Sequence, residues 1–317
     1  MKAAIRRTYG LPEIIAIEEV QRPVPNDRQV LIKVHATTVN RTDCANLTAN
    51  PFFMRIVLGL GKPSKKILGT DFAGEIIQKG KYANHFDIGQ RVFGFVDTGA
   101  QSHAEYTVVD EEQVFAIPNN IDYKMAAASL EGAHYAYTFV TKAHVQPDHR
   151  VFINGATCAI GSALLQFVTA IGAKVTATSN PENIKLITKL GADKVYDYNT
   201  NDMMKDSINY DFFFDAVGKS TYKKAGFLLK KRGVYISSEL GAYGQNVFLS
   251  LMSSLLNKKV IFPVPLSTKQ SVPHIQKVLE DGTFKPVVDR IYNLADIKQA
   301  FQYVIKGHKT GNVVLSI

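Results

Sequence analysis

The stretch VFINGATCAIG, residues 151–161, runs an apolar strand into a turn punctuated by glycine, and then meets the helical run SALLQFVTAIGAKV. Residues in this order suit a dinucleotide-binding turn, G-x-G-x-x-G/A, in which backbone closes onto a pyrophosphate. The three key positions hold Ala156, Cys158 and Gly161. Gly161 permits close packing of helix on strand. The backbone N–H groups at this helix start, across Ala156, Thr157, Cys158, Ala159, Ile160 and Gly161, face a bound phosphate. Ala156 costs little because a methyl group is small. Cys158 is the real departure, since a side chain sits where a second glycine lets backbone approach the pyrophosphate. A small side chain can point away, which weakens binding without abolishing it.

The following strand sharpens the reading. KVTATSN ends about twenty residues past the turn, where an NAD enzyme carries Asp or Glu to hold the ribose hydroxyls. Here the strand ends in Thr178, Ser179 and Asn180, neutral hydrogen-bonding groups. A carboxylate would repel a 2′-phosphate; hydroxyls and amides do not, so the implied cofactor is NADPH. The competing explanation is that these residues cap the following helix, and Ser and Asn can serve both roles.

Composition limits the alternatives. A chain of 317 residues suggests two domains with ample buried core. No run of about 18 apolar residues is present, which argues against a membrane span. The N-terminal MKAAIRRTYGLPE lacks the apolar stretch of a signal peptide and reads as an edge strand. Two cysteines, Cys44 and Cys158, make no disulfide framework, so a reducing cytoplasm is the expected compartment. The net charge of +9 would attract anionic ligands or nucleic acid. Its Lys and Arg are scattered among acidic residues, however, without an aromatic-interleaved basic motif, so nucleic-acid binding is the weaker reading.

The elements that must position the turn show a change of rhythm. Up to about Pro118, short runs rich in Val, Ile, Phe and Tyr (QVLIKVHATTV, FAGEIIQ, RVFGFV, AEYTVVDEEQVFAI) alternate with turns, and helical periodicity is scarce. This half is expected to be mainly β. A helix follows, with Asp122 as its N-cap. From Arg150, six apolar strands (VFIN, KVTAT, KVYDY, DFFFDAV, GVYISS, KVIFPV) recur with helix-length segments between most of them. That pattern predicts a parallel sheet covered on both faces. The tail, PVVDRIYNL to NVVLSI, fits either an extra lobe or a return to the first domain.

Taken in order, VLIKVHATTVNRTD, LGTDFAGEI, DIGQRVFGF, INGATCAIGSALLQFVTAIGAKV, LGADKVYDY, DAVG and GHKTGNVVLSI resemble the medium-chain dehydrogenase/reductase superfamily, in its zinc-free NADPH:quinone oxidoreductase-like branch. The resemblance covers nearly the whole chain. It implies an α/β protein: a Rossmann doubly wound parallel sheet, residues 122–282, plus a mainly β GroES-like catalytic domain, residues 1–121 and 283–317. It also implies a homodimer paired through the last strand of the Rossmann sheet, KVIFPV.

The resemblance bears on zinc as well. Zinc-dependent relatives hold a catalytic metal with Cys, His and then Cys or an acid; the first two matching positions here are Asn40 and Thr70, the third falls near Glu131, and only Glu131 could ligate. A four-cysteine structural zinc lobe is impossible with two cysteines. No metal site is therefore expected. Without a Lewis acid, the chemistry that remains easy is hydride transfer to an acceptor already electrophilic, a quinone or an α,β-unsaturated carbonyl. By the same resemblance Asn40 borders the nicotinamide and Thr42 donates a proton or hydrogen bond, although a local turn bond is an equal reading for Thr42. Asp43 is expected to be structural.

Further cofactor contacts carry over to Tyr198 near the adenosine phosphate, to Val217 and Gly218, and to Leu240 and Gly241 at strand ends. Asn183 stands where relatives often place a lysine for the 2′-phosphate, and Tyr135 where they place a threonine. NPFFMRIVLGLGKPSKK, residues 50–66, is either an apolar flap over a small hydrophobic electrophile or a surface helix on the β domain. His35 is expected to be a satisfied packing residue, and no Gly-x-Ser-x-Gly elbow supports hydrolase chemistry. The alternative function is a nucleotide-sensing or RNA-binding protein of the same fold with little turnover.

Overall fold

The computed structural model describes residues 1–200, 203 and 207–317. The chain divides into two compact units, Met1–Glu131 with Val272–Glu280 and Pro286–Ile317, and Gly132–Ser271 with Asp281–Lys285. Residues 122–131 and 272–280 thus fall with the first unit, whereas the sequence boundaries placed them in the second.

In the first unit, β1 (Lys2–Ile5) and β2 (Ala16–Glu19) form an antiparallel pair, so the N-terminus is a strand as expected. β3 (Gln29–Val39), β4 (Asp71–Lys79), β5 (Arg91–Phe95), β6 (Tyr106–Asp110) and β7 (Phe115–Ala116) build the larger sheet. The run AEYTVVDEEQVFAI is two strands rather than one, interrupted by a 3-10 turn at Glu111–Gln113. The helix Arg41–Thr48, which periodicity did not reveal, follows β3 directly. Asp122 caps the helix Tyr123–Ala128 through Met125 N, as expected. Residues 50–66 hold a 3-10 turn, Phe52–Met54, and a one-turn helix, Arg55–Leu58. The Tyr9 hydroxyl donates to Gly59 O at 2.7 Å and ties this segment down, leaving Ile56, Val57 and Leu60 exposed.

The second unit carries β8 (Arg150–Asn154), β9 (Lys174–Ser179), β10 (Lys194–Asp197), β11 (Tyr210–Asp215), β12 (Leu229–Ser237) and β13 (Lys259–Ile261). All pairings are parallel, in the order β10-β9-β8-β11-β12-β13, the doubly wound order of a Rossmann sheet. The central strands read as unbroken apolar runs because both faces are covered. Phe152, Phe213 and Tyr235 pack in one core cluster on this sheet. The tail rejoins the first unit. β14 (Val288–Asn293) pairs with β15 (Asn312–Ser316), which pairs antiparallel with β3 and completes a seven-stranded GroES-like sheet.

Two glycines give opposite expectations. A Cβ at Gly161 would lie 2.2 Å from Gly155 O, a backbone atom that cannot swing aside, whereas a Cβ at Gly226, inside the helix Tyr222–Leu228, meets nothing nearer than 4.0 Å. Gly161→Ala should destabilise the chain by about 1–3 kcal/mol through overpacking. Gly226→Ala should stabilise it by about 0.5–1 kcal/mol. Urea midpoints of the two variants check both signs.

Candidate functional site

At the carboxyl edge of the parallel sheet, three apolar strands carry a polar residue at or next to their last position, and these residues bond one another. Thr178 Oγ1 donates to Asn154 Oδ1 at 2.9 Å and accepts from Gly155 N at 2.8 Å. Asn154 Nδ2 donates to Asp215 Oδ1 at 3.0 Å. Asp215 also accepts from Ser220 N at 2.8 Å and, at 3.5 Å, from the Tyr235 hydroxyl, whose proton burial and then the Asp215 charge hold more tightly than usual. Asn154, Thr178 and Asp215 are all buried. Removing any member would strand a polar group away from water, so the knot fixes the relative positions of β8, β9 and β11. Sequence reasoning missed Asn154 and Asp215; the available signal was a polar residue closing each apolar strand.

That knot sets the glycine turn. Gly155 takes φ +80°, and a Cβ there would fall 2.5 Å from the Val217 side chain. Ala156 N donates to Thr178 O at 3.1 Å. Cys158 does not turn its side chain away from the helix start: it is the N-cap of the helix Ala159–Ile171, its Sγ accepting from Gly161 N at 3.2 Å and lying 3.5 Å from Ala216 O. The thiol thus occupies one N–H that a phosphate would otherwise take. Ala159 and Ile160 contribute two more of the orphan donors that every helix start carries.

The end of β9 is neutral. Ser179 Oγ donates to Asn180 O at 2.8 Å, and Asn183 Nδ2 donates to Asn180 Oδ1 at 2.7 Å. The Asn180 side chain caps no helical N–H, so the capping explanation for this residue does not hold. Tyr198 N donates to Ser179 O at 3.1 Å and its ring is half exposed beside that strand end. Val217 and Gly218 (φ +65°) follow β11, and Leu240 and Gly241 (φ +72°) follow β12. The structure therefore brings every expected cofactor residue to one edge of one sheet. Asn246, which sequence reasoning did not single out, sits beside Gly241 with Nδ2 on Glu239 O at 2.8 Å and a buried Oδ1 that has no partner among the described residues. Gly155, Gly161 and the helix N–H groups fit a pyrophosphate, and the neutral strand end fits a ribose with or without a 2′-phosphate.

In the first unit, Asn40 caps the helix Arg41–Thr48 in a capping box: its Oδ1 accepts from Asp43 N at 2.8 Å and Asp43 Oδ2 accepts from Asn40 N at 3.2 Å. Its Nδ2 donates to Thr70 Oγ1 at 2.7 Å. Asp43 also takes Gly69 N at 3.1 Å, a structural role as expected. Thr42 Oγ1 donates to Glu131 Oε1 at 2.8 Å, a contact that no local pattern reveals. The three positions matching zinc ligands do not fit a zinc ion: Asn40 and Thr70 bond one another, and only Glu131 offers an anionic ligand. Among the described residues no group of three or more His, Cys, Asp or Glu side chains could hold a metal.

Electrostatics here follow from burial. Burial pushes the carboxyls of Asp43 and Asp71 up to about 7 and that of Glu131 up to about 8, against hydrogen bonds that lower them. His103, whose Nε2 lies 2.8 Å from Thr38 O, is pushed down to about 4 and is neutral at pH 7. Burial also raises the Cys44 thiol, leaving it inert. His35 is not a fully satisfied packing residue: its ring stacks on Tyr123 at 4.4 Å, but its buried Nε2 has no hydrogen-bond partner among the described residues.

A parallel sheet with a dinucleotide turn, in one chain with a GroES-like antiparallel sheet, defines a class of nicotinamide-dependent oxidoreductases. Comparison with known proteins agrees. Residues 26–147 match the alcohol dehydrogenase GroES-like domain, and residues 190–315 match the zinc-binding dehydrogenase family. The quinone oxidoreductase of Pongo abelii is 28% identical over 99% of this chain and 97% of its own. The NADPH-dependent alkenal/one oxidoreductase of Arabidopsis thaliana is 27% identical over 99% of this chain and 79% of its own. The solved structure of the quinone oxidoreductase from Coxiella burnetii superposes with a TM-score of 0.89 at 23% identity, covering 100% of this chain and 99% of that one. The chain belongs to the medium-chain dehydrogenase/reductase superfamily, in its quinone oxidoreductase-like branch, and is an oxidoreductase that works with a nicotinamide cofactor.

Two outcomes follow from this geometry. Cys158→Gly frees the Gly161 N–H and should tighten dinucleotide binding in a fluorescence titration, while losing only a few tenths of a kcal/mol of helix capping. The second concerns pH. A carboxyl held above its ordinary value contributes stability that is full below about 4 and lost as pH climbs to 7 or 8; His103 contributes the opposite way, gaining between about 4 and 6.5. From pH 6.5 to 8 only the carboxyls of this set act, so the urea midpoint should fall across that window; a midpoint that rises contradicts the assignment.

Proposed function

We propose that this chain is a zinc-independent, NADPH-dependent reductase that transfers hydride to quinones or α,β-unsaturated carbonyl compounds in the cytoplasm. The observation that carries the reading is the Asn40–Thr70 hydrogen bond, which occupies two positions where zinc-dependent relatives keep metal ligands. With no Lewis acid to polarise a carbonyl, the acceptor must be electrophilic by itself. When bound, the dinucleotide supplies the hydride. The residues of the turn, Ala156 to Gly161, hold the pyrophosphate, and Ser179, Asn180, Asn183 and Tyr198 receive the adenosine phosphates. Val217, Gly218, Leu240 and Gly241 flank the cofactor at the strand ends. By the family resemblance Asn40 orients the nicotinamide, with the side-chain N–H that its bond to Thr70 leaves over. The Thr42 hydroxyl donates to the acceptor oxygen as negative charge grows there. The relatives named for quinones and for alkenals and enones support both acceptor classes.

The second reading, a nucleotide-sensing or RNA-binding protein with little turnover, is favoured by the Cys158 cap on the pyrophosphate turn. Steady-state NADPH oxidation against a panel of quinones and enones separates the two. Turnover that survives a chelator, in protein without stoichiometric zinc, is expected; salt-dependent RNA binding with no acceptor reduced would contradict the reductase reading.

We also propose a homodimer that pairs β13 to β13. That strand is the sheet edge, and the nearby helix Gln245–Leu251 exposes Phe248 and Leu251, 64% and 79% accessible. Isolated exposed apolar residues are ordinary, but a run of them beside an open strand edge is a pairing surface. Light scattering should give a dimer mass, and the double variant Phe248→Glu, Leu251→Glu a monomer mass.

A further inference from the structure

We propose that Glu131 is the proton reserve for the reduction, a positioning residue that acts through the Thr42 hydroxyl; the proposal rests on the reductase reading above. Thr42 is the second residue of its helix and Glu131 opens the helix Glu131–Ala143, 89 residues further along the chain. The fold brings the two side chains into a 2.8 Å hydrogen bond within the first unit. Among the described residues the hydrogen-bond partner of Glu131 is Thr42, and the residue keeps a narrow edge of 9% exposure. Burial of such an acid disfavours the carboxylate and favours the neutral carboxyl. Three charged groups face it. Lys309, on the loop before β15, favours the anion; Asp71 on β4 and Asp43 in the helix of Thr42 disfavour it. Burial outweighs them all, so the acid stays protonated at pH 7.

A neutral carboxyl donates as readily as it accepts, so the bond to Thr42 can reverse direction. Hydride arrival from NADPH adds two electrons and one hydrogen to the acceptor and leaves its oxygen negative. The Thr42 O–H bond then breaks as its proton moves to that oxygen. The Glu131 O–H bond breaks in turn, and its proton restores the Thr42 hydroxyl. Glu131 is left as a carboxylate beside the charge of Lys309, and water at its exposed edge returns the proton. One hydride from NADPH and one proton from solvent are consumed, and Thr42 is unchanged.

Glu131→Gln retains an acceptor for Thr42 but no acidic proton. In the wild type, kcat should decline above pH about 8, where Glu131 ionises. In E131Q that limb should disappear, with kcat lower by roughly ten- to a hundredfold and the acceptor KM unchanged. Thr42→Val should lose a similar factor, and the double variant should be no worse than Thr42→Val alone. Wild-type kcat in E131Q, an unaltered alkaline limb, or additive losses would overturn the role. Infrared spectra of the chain without cofactor supply an independent reading: at pH 7 the protonated-carboxyl absorption of the wild type should exceed that of E131Q. Equal absorption in the two overturns the proposal while leaving the reductase reading intact. The excess present with no acceptor reduced would remove the reductase reading and this role together.

Discussion

The hydrogen bonds of the Asn154 side chain, one from Thr178 and one to Asp215, are the constraint on which the nucleotide edge depends. Parallel strands slide against one another unless something fixes their ends, and apolar side chains alone fix them loosely. A buried amide that must satisfy both its oxygen and its nitrogen permits one register only. Through Thr178 the same network reaches Gly155 N, and through Asp215 it reaches the backbone before the helix Tyr222–Leu228. The turn, the neutral strand end and the loop at Val217 and Gly218 are thus positioned by one set of polar contacts sunk in an apolar sheet.

The first unit solves a similar problem with different chemistry. Its buried carboxyls are held by backbone N–H groups and hydroxyls: Asp43 by Asn40 N and Gly69 N, Asp71 by Thr38. Those donors favour the anion while burial favours the neutral acid, and the balance brings Asp43 and Asp71 to about 7. The Asn40 amide and the Thr70 hydroxyl bond one another at two of the positions where zinc-dependent relatives keep metal ligands.

Much of this was legible in the chain. The six strands of the parallel sheet could be read because strands buried on both faces must be apolar throughout, and the glycine turn because only Gly161 lets helix and strand approach so closely. What could not be read were contacts that depend on distant residues or on the direction of one small side chain. Cys158 looked like an obstruction to be turned aside, yet sulfur is a competent, if weak, acceptor and the helix start offers it a donor. Asn40 carried a family resemblance to a nicotinamide neighbour, and its capping box was visible only once Asp43 was seen to face it. Glu131 and Thr42 are 89 positions apart, with nothing local to join them. The helix Arg41–Thr48 escaped notice because it is short and polar, its stability coming from its cap and not from an apolar stripe.

We propose that the neutral end of β9, beside a partly capped turn, favours NADPH over NADH because it spares a 2′-phosphate the repulsion of a carboxylate. Isothermal titration of the purified chain with NADPH and with NADH, at one ionic strength, tests it most directly. The account predicts measurable binding of both, with NADPH tighter by at least tenfold, equivalent to about 1.4 kcal/mol. Equal affinities, or a preference for NADH, would contradict the role given to Ser179, Asn180 and Asn183. No binding of either would mean that the Cys158 cap has closed the pyrophosphate site.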